Sequence, residues 1–313
     1  MGSNPHAPAP SANPSEFPTP TTPAGREALA AILARPERAV VALDFDGTLA
    51  DIVPDPDQAR AHPGAVDALA ALAPKVASVA VITGRPPDAA VRYGGFAGVA
   101  GLDHLVVLGH YGAERWDAAT GAVHAPAPHP GVAAARAELS GVLDRHGAWR
   151  GTWIEEKGRA LAVHTRRAAD PQGAFDALRE PLGELAARHG LIVEPGRLVL
   201  ELRPPGMDKG VALARHLRET SAESVLYAGD DLGDLAAYAT VEKLRAGSAG
   251  SAGSAARAES AARTGGPDGP DDIPGLLICS GSAEVTELAD RADLILDGPA
   301  AVVRYLAALA ARL

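Results

Sequence analysis

The chain alternates short, almost continuous apolar runs with longer segments that have helical periodicity. Segments such as GAVDALAALA, DKGVALARHLRE and PAAVVRYLAALAARL are typical of amphipathic helices. Apolar strands that are separated by helices indicate a parallel sheet covered on both faces, hence an α/β fold. The predicted strands are Ala39–Leu43, Ser78–Ile82, Leu105–Leu108, Ser224–Ala228, Gly275–Cys279 and Asp293–Leu296.

The middle of the chain has a different pattern. Residues 109–205 begin with a hairpin-like stretch and continue with pairs of short strands that are bracketed by helices. Such pairs predict a separate α/β layer inserted into the main sheet. We therefore expect a core domain formed by residues 26–108 and 206–313, with residues 109–205 as an inserted α/β unit.

Two segments have compositions that do not favour a packed structure. Residues 1–25 are rich in Pro, Ser, Thr and Ala, and residues 245–272 are rich in Ala, Gly, Ser and then Pro and Asp. Because few bulky apolar side chains are present, we predict a disordered tail and a flexible surface insertion. A helix over AARAESAAR with a binding role is the alternative, disfavoured because its apolar side chains are only alanine.

Composition and charge exclude several classes of protein. A formal net charge of −10 disfavours general binding to nucleic acid. The single cysteine, Cys279, excludes an intramolecular disulfide framework and a cysteine-based metal cluster. No secretory signal or membrane-length apolar run is present, so we expect a soluble, cytoplasmic protein without membrane contacts.

Two aspartates follow the first predicted strand, in the string LDFDGTLAD. Asp44 and Asp46 are two positions apart, so in an extended chain both carboxylates point to one side. The carboxyl edge of a parallel sheet is where open α/β folds bind ligands. A polar turn is the alternative interpretation of this pair, because Asp is common in turns.

Other polar residues follow later strands or begin helices. Thr83 ends the second strand, and Lys209 opens a helix in a chain with only four lysines against 25 arginines. The alternative interpretation of Thr83 is a Thr-Gly pair that merely ends a strand. For Lys209 it is a surface lysine in the first turn of a helix. Three aspartates, Asp230, Asp231 and Asp234, follow the strand SVLYA. Because such close carboxylates repel each other, they indicate a cation, with an Asp-rich helix start as the alternative.

The strings LDFDGTL, VITGR, PPGMDKG and YAGDDLGD together resemble the four motifs of the haloacid dehalogenase superfamily of phosphotransferases. The resemblance implies a Rossmann-like core in which Asp44 is the nucleophile and Asp46 the general acid and base. It also implies that Thr83 binds the phosphoryl oxygens and that Lys209 neutralises the nucleophile and the phosphate. Neighbouring residues of the second motif, Gly84 and Arg85, are expected to bind substrate. The implied cofactor is Mg²⁺, and its implied ligands are Asp44, Asp46, Asp230, Asp231 and Asp234.

The inserted unit resembles the cap of the trehalose-6-phosphate phosphatase family in the strings GHYGAERW, IEEKGRALAVHTR and ELRP. Within ALAVHTR, strand alternation places His164 and Arg166 on one face, as a sugar-phosphate site needs. A lone histidine on a half-buried strand is the alternative for His164. The substrate-binding residues that the resemblance implies in the cap are Glu114, Glu155, Lys157, His164, Arg166 and Glu201.

Three residues depart from that family's pattern. Gly233 and Leu235 replace the usual Thr and Glu of the fourth motif, and Tyr111 replaces a His. We expect metal binding to persist because the three aspartates are retained. The resemblance implies Mg²⁺-dependent hydrolysis of trehalose 6-phosphate to trehalose through a phospho-aspartate. Another sugar phosphatase of the superfamily, or a non-catalytic regulatory module that partners a trehalose-6-phosphate synthase, remains the alternative.

Overall fold

A computed structural model describes residues 17–146, 150–251, 273–281 and 286–313. The described helices are α1 (Pro23–Ala34), α2 (Ala65–Leu72), α3 (Pro87–Gly94), α4 (Pro130–Arg145), α5 (Pro171–Arg188), α6 (Lys209–Glu219), α7 (Leu235–Ser251), α8 (Thr286–Arg291) and α9 (Gly298–Ala310). None of these described helices is both long enough and apolar enough to cross a membrane.

The main sheet has eight strands in the order β12-β11-β10-β1-β2-β3-β4-β5. These are β1 (Ala39–Leu43), β2 (Ser78–Ile82), β3 (Leu105–Gly109), β4 (Glu114–Asp117), β5 (Val123–His124), β10 (Ser224–Gly229), β11 (Gly275–Ser280) and β12 (Leu294–Leu296). All neighbouring strands are parallel except at β4 and β5, which pair antiparallel. The predicted parallel-sheet core is confirmed.

The central strands β1, β2, β3, β10 and β11 are buried at every position. An apolar core lies on each face of the sheet. One contains Ile32, Leu69 and Leu306 from α1, α2 and α9, and the other contains Leu213 and Tyr238 from α6 and α7. Because both faces are covered by helices, the strands are continuous apolar runs instead of alternating ones.

A second, antiparallel sheet has the order β6-β7-β9-β8. Its strands are β6 (Trp153–Glu156), β7 (Leu161–His164), β8 (Ile192–Gly196) and β9 (Val199–Arg203). Helices α4 and α5 pack against one face through a separate apolar core that includes Leu139, Leu178 and Leu182. The predicted inserted α/β unit is therefore present, but it contains fewer strands than expected.

The hairpin that opens the predicted unit belongs to the main sheet. Strand β4 pairs with β3, and β5 pairs with β4. Trp116 of β4 is buried in the same core as α2 and α9. The boundary predicted at residue 109 is therefore wrong, because β3 offers a free edge that the hairpin completes.

The predicted tail of residues 1–25 is ordered from residue 17 onward. The Phe17 ring stacks on Tyr305 with centroids 4.9 Å apart. Thr22 caps α1 by accepting a hydrogen bond from the N–H of Gly25, and a proline follows the cap as the first helical residue. The prediction of disorder is wrong for residues 17–25. It rested on composition alone, which does not reveal a helix cap or a contact with a distant ring. Residues 1–16 lie outside the described part.

The predicted flexible insertion, residues 245–272, begins too early. Helix α7 continues to Ser251, and Nε of Arg245 donates to the carbonyl of Gly275 over 2.7 Å. This contact ties the helix to β11. Residues 252–272 lie outside the described residues.

Candidate active site

Three adjacent strands of the main sheet, β10, β1 and β2, bring polar residues to one edge. The N–H of Asp44 continues the pairing of β1 by donating to the carbonyl of Ala228 over 2.9 Å. Likewise, the N–H of Thr83 donates to the carbonyl of Leu108 over 3.0 Å. Because the sheet ladder extends past each strand, the first residue after it has a fixed position.

Four carboxylates form a compact acidic cluster at this edge: Asp44, Asp230, Asp231 and Asp234. One oxygen from each lies within 4.8 Å of the others. The structure thus brings together four of the five predicted metal ligands. The carboxylate of Asp46 is not part of this cluster.

Lys209 supplies a positive charge to the acidic cluster from the first residue of α6. Its Nζ lies 2.8 Å from Oδ1 of Asp44 and 2.7 Å from Oδ1 of Asp234. Although burial opposes the charged form, Asp234 and Asp44 raise the pKa of Lys209 well above its usual value. Burial raises the pKa of Asp44, and the charge of Lys209 opposes this shift.

Asp234 is held by four hydrogen-bond donors. Besides Lys209, the hydroxyl of Tyr227 donates to its Oδ1 over 2.6 Å. The N–H groups of Asp230 and Asp231 donate to its Oδ2 over 2.9 and 3.1 Å. Although burial opposes ionisation, these contacts lower the pKa of Asp234. Asp234 therefore positions Lys209 and the turn after β10.

Asp230 contributes an unsatisfied carboxylate oxygen to the acidic cluster. Burial, and then the charges of Asp234 and Asp231, raises the pKa of Asp230 to about 8. Its buried Oδ1 has no hydrogen-bond partner among the described residues. Crowded carboxylate oxygens with an unsatisfied acceptor suit a hard divalent cation. The residues present therefore fit the predicted cation.

Gly47 allows the chain to turn closely around Asp230. Its φ is +77°, in the left-handed region, and a Cβ at this position would collide with the Asp230 carboxylate. The hydroxyl of Ser280 donates to the carbonyl of Gly47 over 2.6 Å and fixes this turn.

Asp46 and Arg85 form a bidentate ion pair beside the acidic cluster. Arg85 Nε and one terminal nitrogen each donate to a different oxygen of Asp46, both over 2.7 Å. The Asp46 side chain is 38% exposed, whereas that of Asp44 is 6% exposed. Although burial opposes it, the hydrogen bonds from Arg85 to Asp46 raise the pKa of Arg85. Arg85 therefore engages both oxygens of the Asp46 carboxylate, and coordination of a metal by Asp46 stays a prediction.

Thr83 and Gly84 form a turn against Tyr111. The Thr83 hydroxyl accepts from the N–H of Arg85 over 3.2 Å, and its carbonyl accepts from the N–H of Tyr111 over 2.9 Å. A Cβ at Gly84 would lie 2.8 Å from the Tyr111 hydroxyl. His110, Tyr111 and Gly112 all have positive φ. For the non-glycine residues His110 and Tyr111 this conformation is strained, and such strain often marks functional turns.

The predicted cap residues form ion pairs. Lys157 lies 2.6 Å from Glu201, and Glu114 pairs with Arg159. Although burial opposes it, the charge of Glu201 raises the pKa of Lys157. His164 Nε2 lies 2.8 Å from Glu155, and this hydrogen bond lowers the pKa of Glu155.

Arg166 does not share a strand face with His164. Strand β7 ends at His164, and Arg166 is exposed in the turn that follows. The chain turns here because the N–H of Ala168 donates to the carbonyl of Thr165. His164 instead stacks on Trp153, with centroids 4.4 Å apart. The prediction that His164 and Arg166 share one strand face is therefore wrong.

Two residues that the sequence analysis did not identify contribute to the site. Arg203 lies over the Tyr111 ring at 4.7 Å and joins the second sheet to the core. Arg203 and Glu201 are two positions apart on strand β9, so their side chains point to the same face of the sheet. This strand periodicity could have identified Arg203 from the sequence. Tyr227 carries a hydroxyl in the apolar middle of strand β10, and a buried tyrosine hydroxyl usually has a hydrogen-bond partner.

Comparison with known proteins gives one family. Residues 42–264 match the family model for trehalose-phosphatase. A trehalose-phosphate phosphatase from Mycobacterium bovis is 37% identical over 219 residues, covering 64% of this chain and 51% of that protein. A probable trehalose-phosphate phosphatase from Sinorhizobium fredii is 31% identical over 223 residues, covering 70% of this chain and 80% of that protein. The chain spans about half the length of the mycobacterial relative.

Solved structures share the fold. The C-terminal domain of trehalose-6-phosphate phosphatase from Candida albicans has a TM-score of 0.67 at 20% identity, covering 95% of this chain and 99% of that one. The C-terminal domain of the trehalose synthase regulatory protein from the same organism has a TM-score of 0.60 at 12% identity, covering 93% of this chain and 100% of that one.

Proposed function

Because the chain belongs to the trehalose-phosphatase family, we propose that it hydrolyses trehalose 6-phosphate to trehalose and inorganic phosphate. The observation that carries this proposal is the position of Lys209 between the buried Asp44 and Asp234 of the acidic cluster. A carboxylate nucleophile beside a fixed ammonium suits phosphoryl transfer, in which negative charge must be brought together.

In the proposed reaction, an Asp44 oxygen attacks phosphorus and the bond from phosphorus to the sugar oxygen breaks. Asp46 gives a proton to the departing sugar oxygen, so that trehalose leaves and a phospho-aspartate remains. Asp46 then takes a proton from water as the water oxygen attacks phosphorus, which releases phosphate and restores Asp44. Its partial exposure leaves Asp46 accessible to a leaving group and to water.

The acidic cluster would hold Mg²⁺ through Asp44, Asp230 and Asp231, with Asp234 positioning the turn. When bound, the cation supplies positive charge that reduces repulsion between the carboxylates and the phosphate. Lys209 supplies a second charge to the nucleophile, and Thr83 has a hydroxyl that would donate to a phosphoryl oxygen.

The second sheet would act as a cap that selects the sugar. Lys157 and Glu201 lie near Tyr111, whose pKa is raised by burial and then by the charge of Glu201. These groups offer donors and acceptors for sugar hydroxyls opposite the Thr83–Gly84 turn. Glu114, Glu155 and His164 extend this polar surface. Arg166 would have to approach from its exposed turn.

A second candidate function is a regulatory module that binds the sugar phosphate and partners a trehalose-6-phosphate synthase. The likeness to the trehalose synthase regulatory domain favours its consideration. The retained Asp44, Asp46 and Lys209 favour catalysis, because a binding module does not need a nucleophile with an adjacent acid and base.

The test is phosphate release from a panel of trehalose 6-phosphate, sucrose 6-phosphate and glucose 6-phosphate, with Mg²⁺ and with EDTA. We expect Mg²⁺-dependent release that is fastest with trehalose 6-phosphate. A preference for another sugar would identify a different phosphatase of the superfamily. Saturable binding of trehalose 6-phosphate without release would instead support the regulatory module.

A further inference from the structure

A cavity of about 210 Å³ lies between α6 and the β4–β5 hairpin. Its polar lining comes from both sides. These residues are Glu114, Arg115, His124, Arg215, His216 and Glu219. None of the acidic-cluster residues lines this cavity, which shares only Glu114 with the polar surface proposed above to select the sugar.

His216 lines this cavity and has a buried ring nitrogen without a hydrogen-bond partner among the described residues. Its side chain is 1% exposed, and its Nε2 lies 2.9 Å from the hydroxyl of Ser78. Ser78 donates its single proton to the carbonyl of His104 over 3.2 Å. In the tautomer that satisfies both Ser78 contacts, Nε2 of His216 is the donor to Ser78 and Nδ1 is an acceptor. Nδ1 has no hydrogen-bond partner among the described residues.

Nδ1 of His216 is also too far from the nearest carboxylate for a hydrogen bond. Oε2 of Glu219 lies 3.9 Å away. Burial, and then the charges of Arg115 and Arg215, lowers the pKa of His216 to about 4. Near pH 7 both Nδ1 and the carboxylate are acceptors, so a donor between them would satisfy both.

The charges around the cavity balance one another. Arg115 donates to Oε2 of Glu219 over 3.1 Å, and Nε of Arg215 lies 3.8 Å from Oε1 of the same carboxylate. Glu114 is engaged by Arg159. An anion would have to displace Glu219 from the two arginines, and a cation would meet both guanidinium groups. This arrangement favours a neutral ligand with hydroxyl groups, which can donate and accept.

We propose that this cavity is a second binding site, which takes a small neutral polyol or a single sugar ring. One ligand hydroxyl donates to Nδ1 of His216, and neighbouring hydroxyls contact Arg215 and Glu219. The volume supports a small ligand, since pockets for drug-sized molecules run from about 300 to 1,000 Å³.

The site also borders the turn that carries Tyr111. A terminal nitrogen of Arg215 donates to the carbonyl of Gly112, the residue after Tyr111. A ligand that binds Arg215 would therefore contact the residue that holds the Tyr111–Gly112 segment. That segment packs against the Thr83–Gly84 turn.

The experiment observes His216 directly in the full chain labelled with ¹⁵N. Long-range ¹H–¹⁵N spectra report the two ring nitrogens separately, and D-glucose and inorganic phosphate are titrated in turn. We expect glucose to shift the Nδ1 resonance in a saturable way, with Nε2 remaining protonated, and phosphate to leave it unchanged.

Two variants on one helix provide the control. Arg215→Gln removes a charged donor from the cavity wall and should weaken glucose binding roughly three- to tenfold. Arg218 is exposed on the same helix and does not line the cavity. Arg218→Gln should leave the affinity unchanged.

Three results would overturn the proposal. They are an unchanged Nδ1 resonance with glucose, a shift caused by phosphate but not by glucose, or equal weakening by both arginine variants. Because the readout is at His216, loss of phosphatase activity alone does not affect the outcome. Failure of the proposed catalytic function is therefore distinguishable from failure of this site.

Discussion

Arg85 engages both carboxylate oxygens of Asp46, with each hydrogen bond 2.7 Å long. Two positions earlier, Asp44 is buried and paired with Lys209. The same side-chain chemistry thus occupies two different environments, which is how neighbouring carboxylates acquire different roles in acid–base catalysis.

Replacing Arg85 by Lys should lower kcat for phosphate release by about tenfold or more. A lysine keeps one positive charge but cannot donate to both Asp46 oxygens in a planar fork. The measurement is steady-state kinetics with trehalose 6-phosphate, and Arg92→Lys, at an exposed arginine of α3, is the control. Equal rates for wild type and Arg85→Lys would show that the paired geometry is unimportant.

Asp44→Asn should reduce phosphate release by at least about 1,000-fold, because an amide is a poor nucleophile. The fold should be retained, since the change removes one of four crowded negative charges. Rates and thermal unfolding are compared with Asp51→Asn, at an exposed aspartate. Substantial remaining turnover in Asp44→Asn would refute the nucleophile assignment.

Gly47→Ala should abolish most activity and destabilise the protein, because the new methyl group would collide with Asp230. Gly98→Ala is the matched control, since Gly98 has φ +70° and no atom within 4 Å of an added Cβ. Both variants incur the backbone cost of about 1 kcal/mol for a left-handed alanine. In urea unfolding, only Gly47→Ala should lose more free energy of unfolding than this backbone cost. Similar losses in both variants would contradict the close contact between Gly47 and Asp230.

Tyr227→Phe should lower the free energy of unfolding by roughly 1.5–3 kcal/mol, because it removes a hydrogen bond to the charged Asp234. Tyr305→Phe offers a contrast, since the buried Tyr305 hydroxyl has no hydrogen-bond partner among the described residues. That change should be neutral or stabilising. The prediction fails if urea unfolding shows the same effect for both.

His216 should make the protein less stable as pH falls from about 6.5 to about 4. Its folded pKa is about 4, below the ordinary 6.5, so the unfolded chain binds a proton in this range that the folded chain does not. Over the whole range this amounts to about 3 kcal/mol, at about 1.4 kcal/mol per pH unit. Urea unfolding of His216→Asn should lack this component, and parallel pH profiles for both proteins would exclude it.

The central strands and the position of the acidic cluster follow from the order of residues along the chain. Strands such as Ala39–Leu43 and Ser78–Ile82 have the predicted bounds, because a doubly covered parallel strand must be apolar along its whole length. Asp44 and Asp230 follow neighbouring parallel strands. Their proximity therefore follows from the rule that the carboxyl ends of such strands share one edge.

In contrast, the contacts between distant side chains, and the sheet that each segment joins, are visible only in the folded chain. Arg85 and Asp46 are 39 positions apart, and His216 and Ser78 are 138 apart. No local pattern encodes such pairs, since they depend on how helices and loops pack after the sheet has formed. The same reason applies to two segments with polar or proline-rich sequences. The β4–β5 hairpin is ordered by pairing with the free edge of β3. Residues 17–25 are ordered by the Thr22 cap and by the stacking of Phe17 on Tyr305.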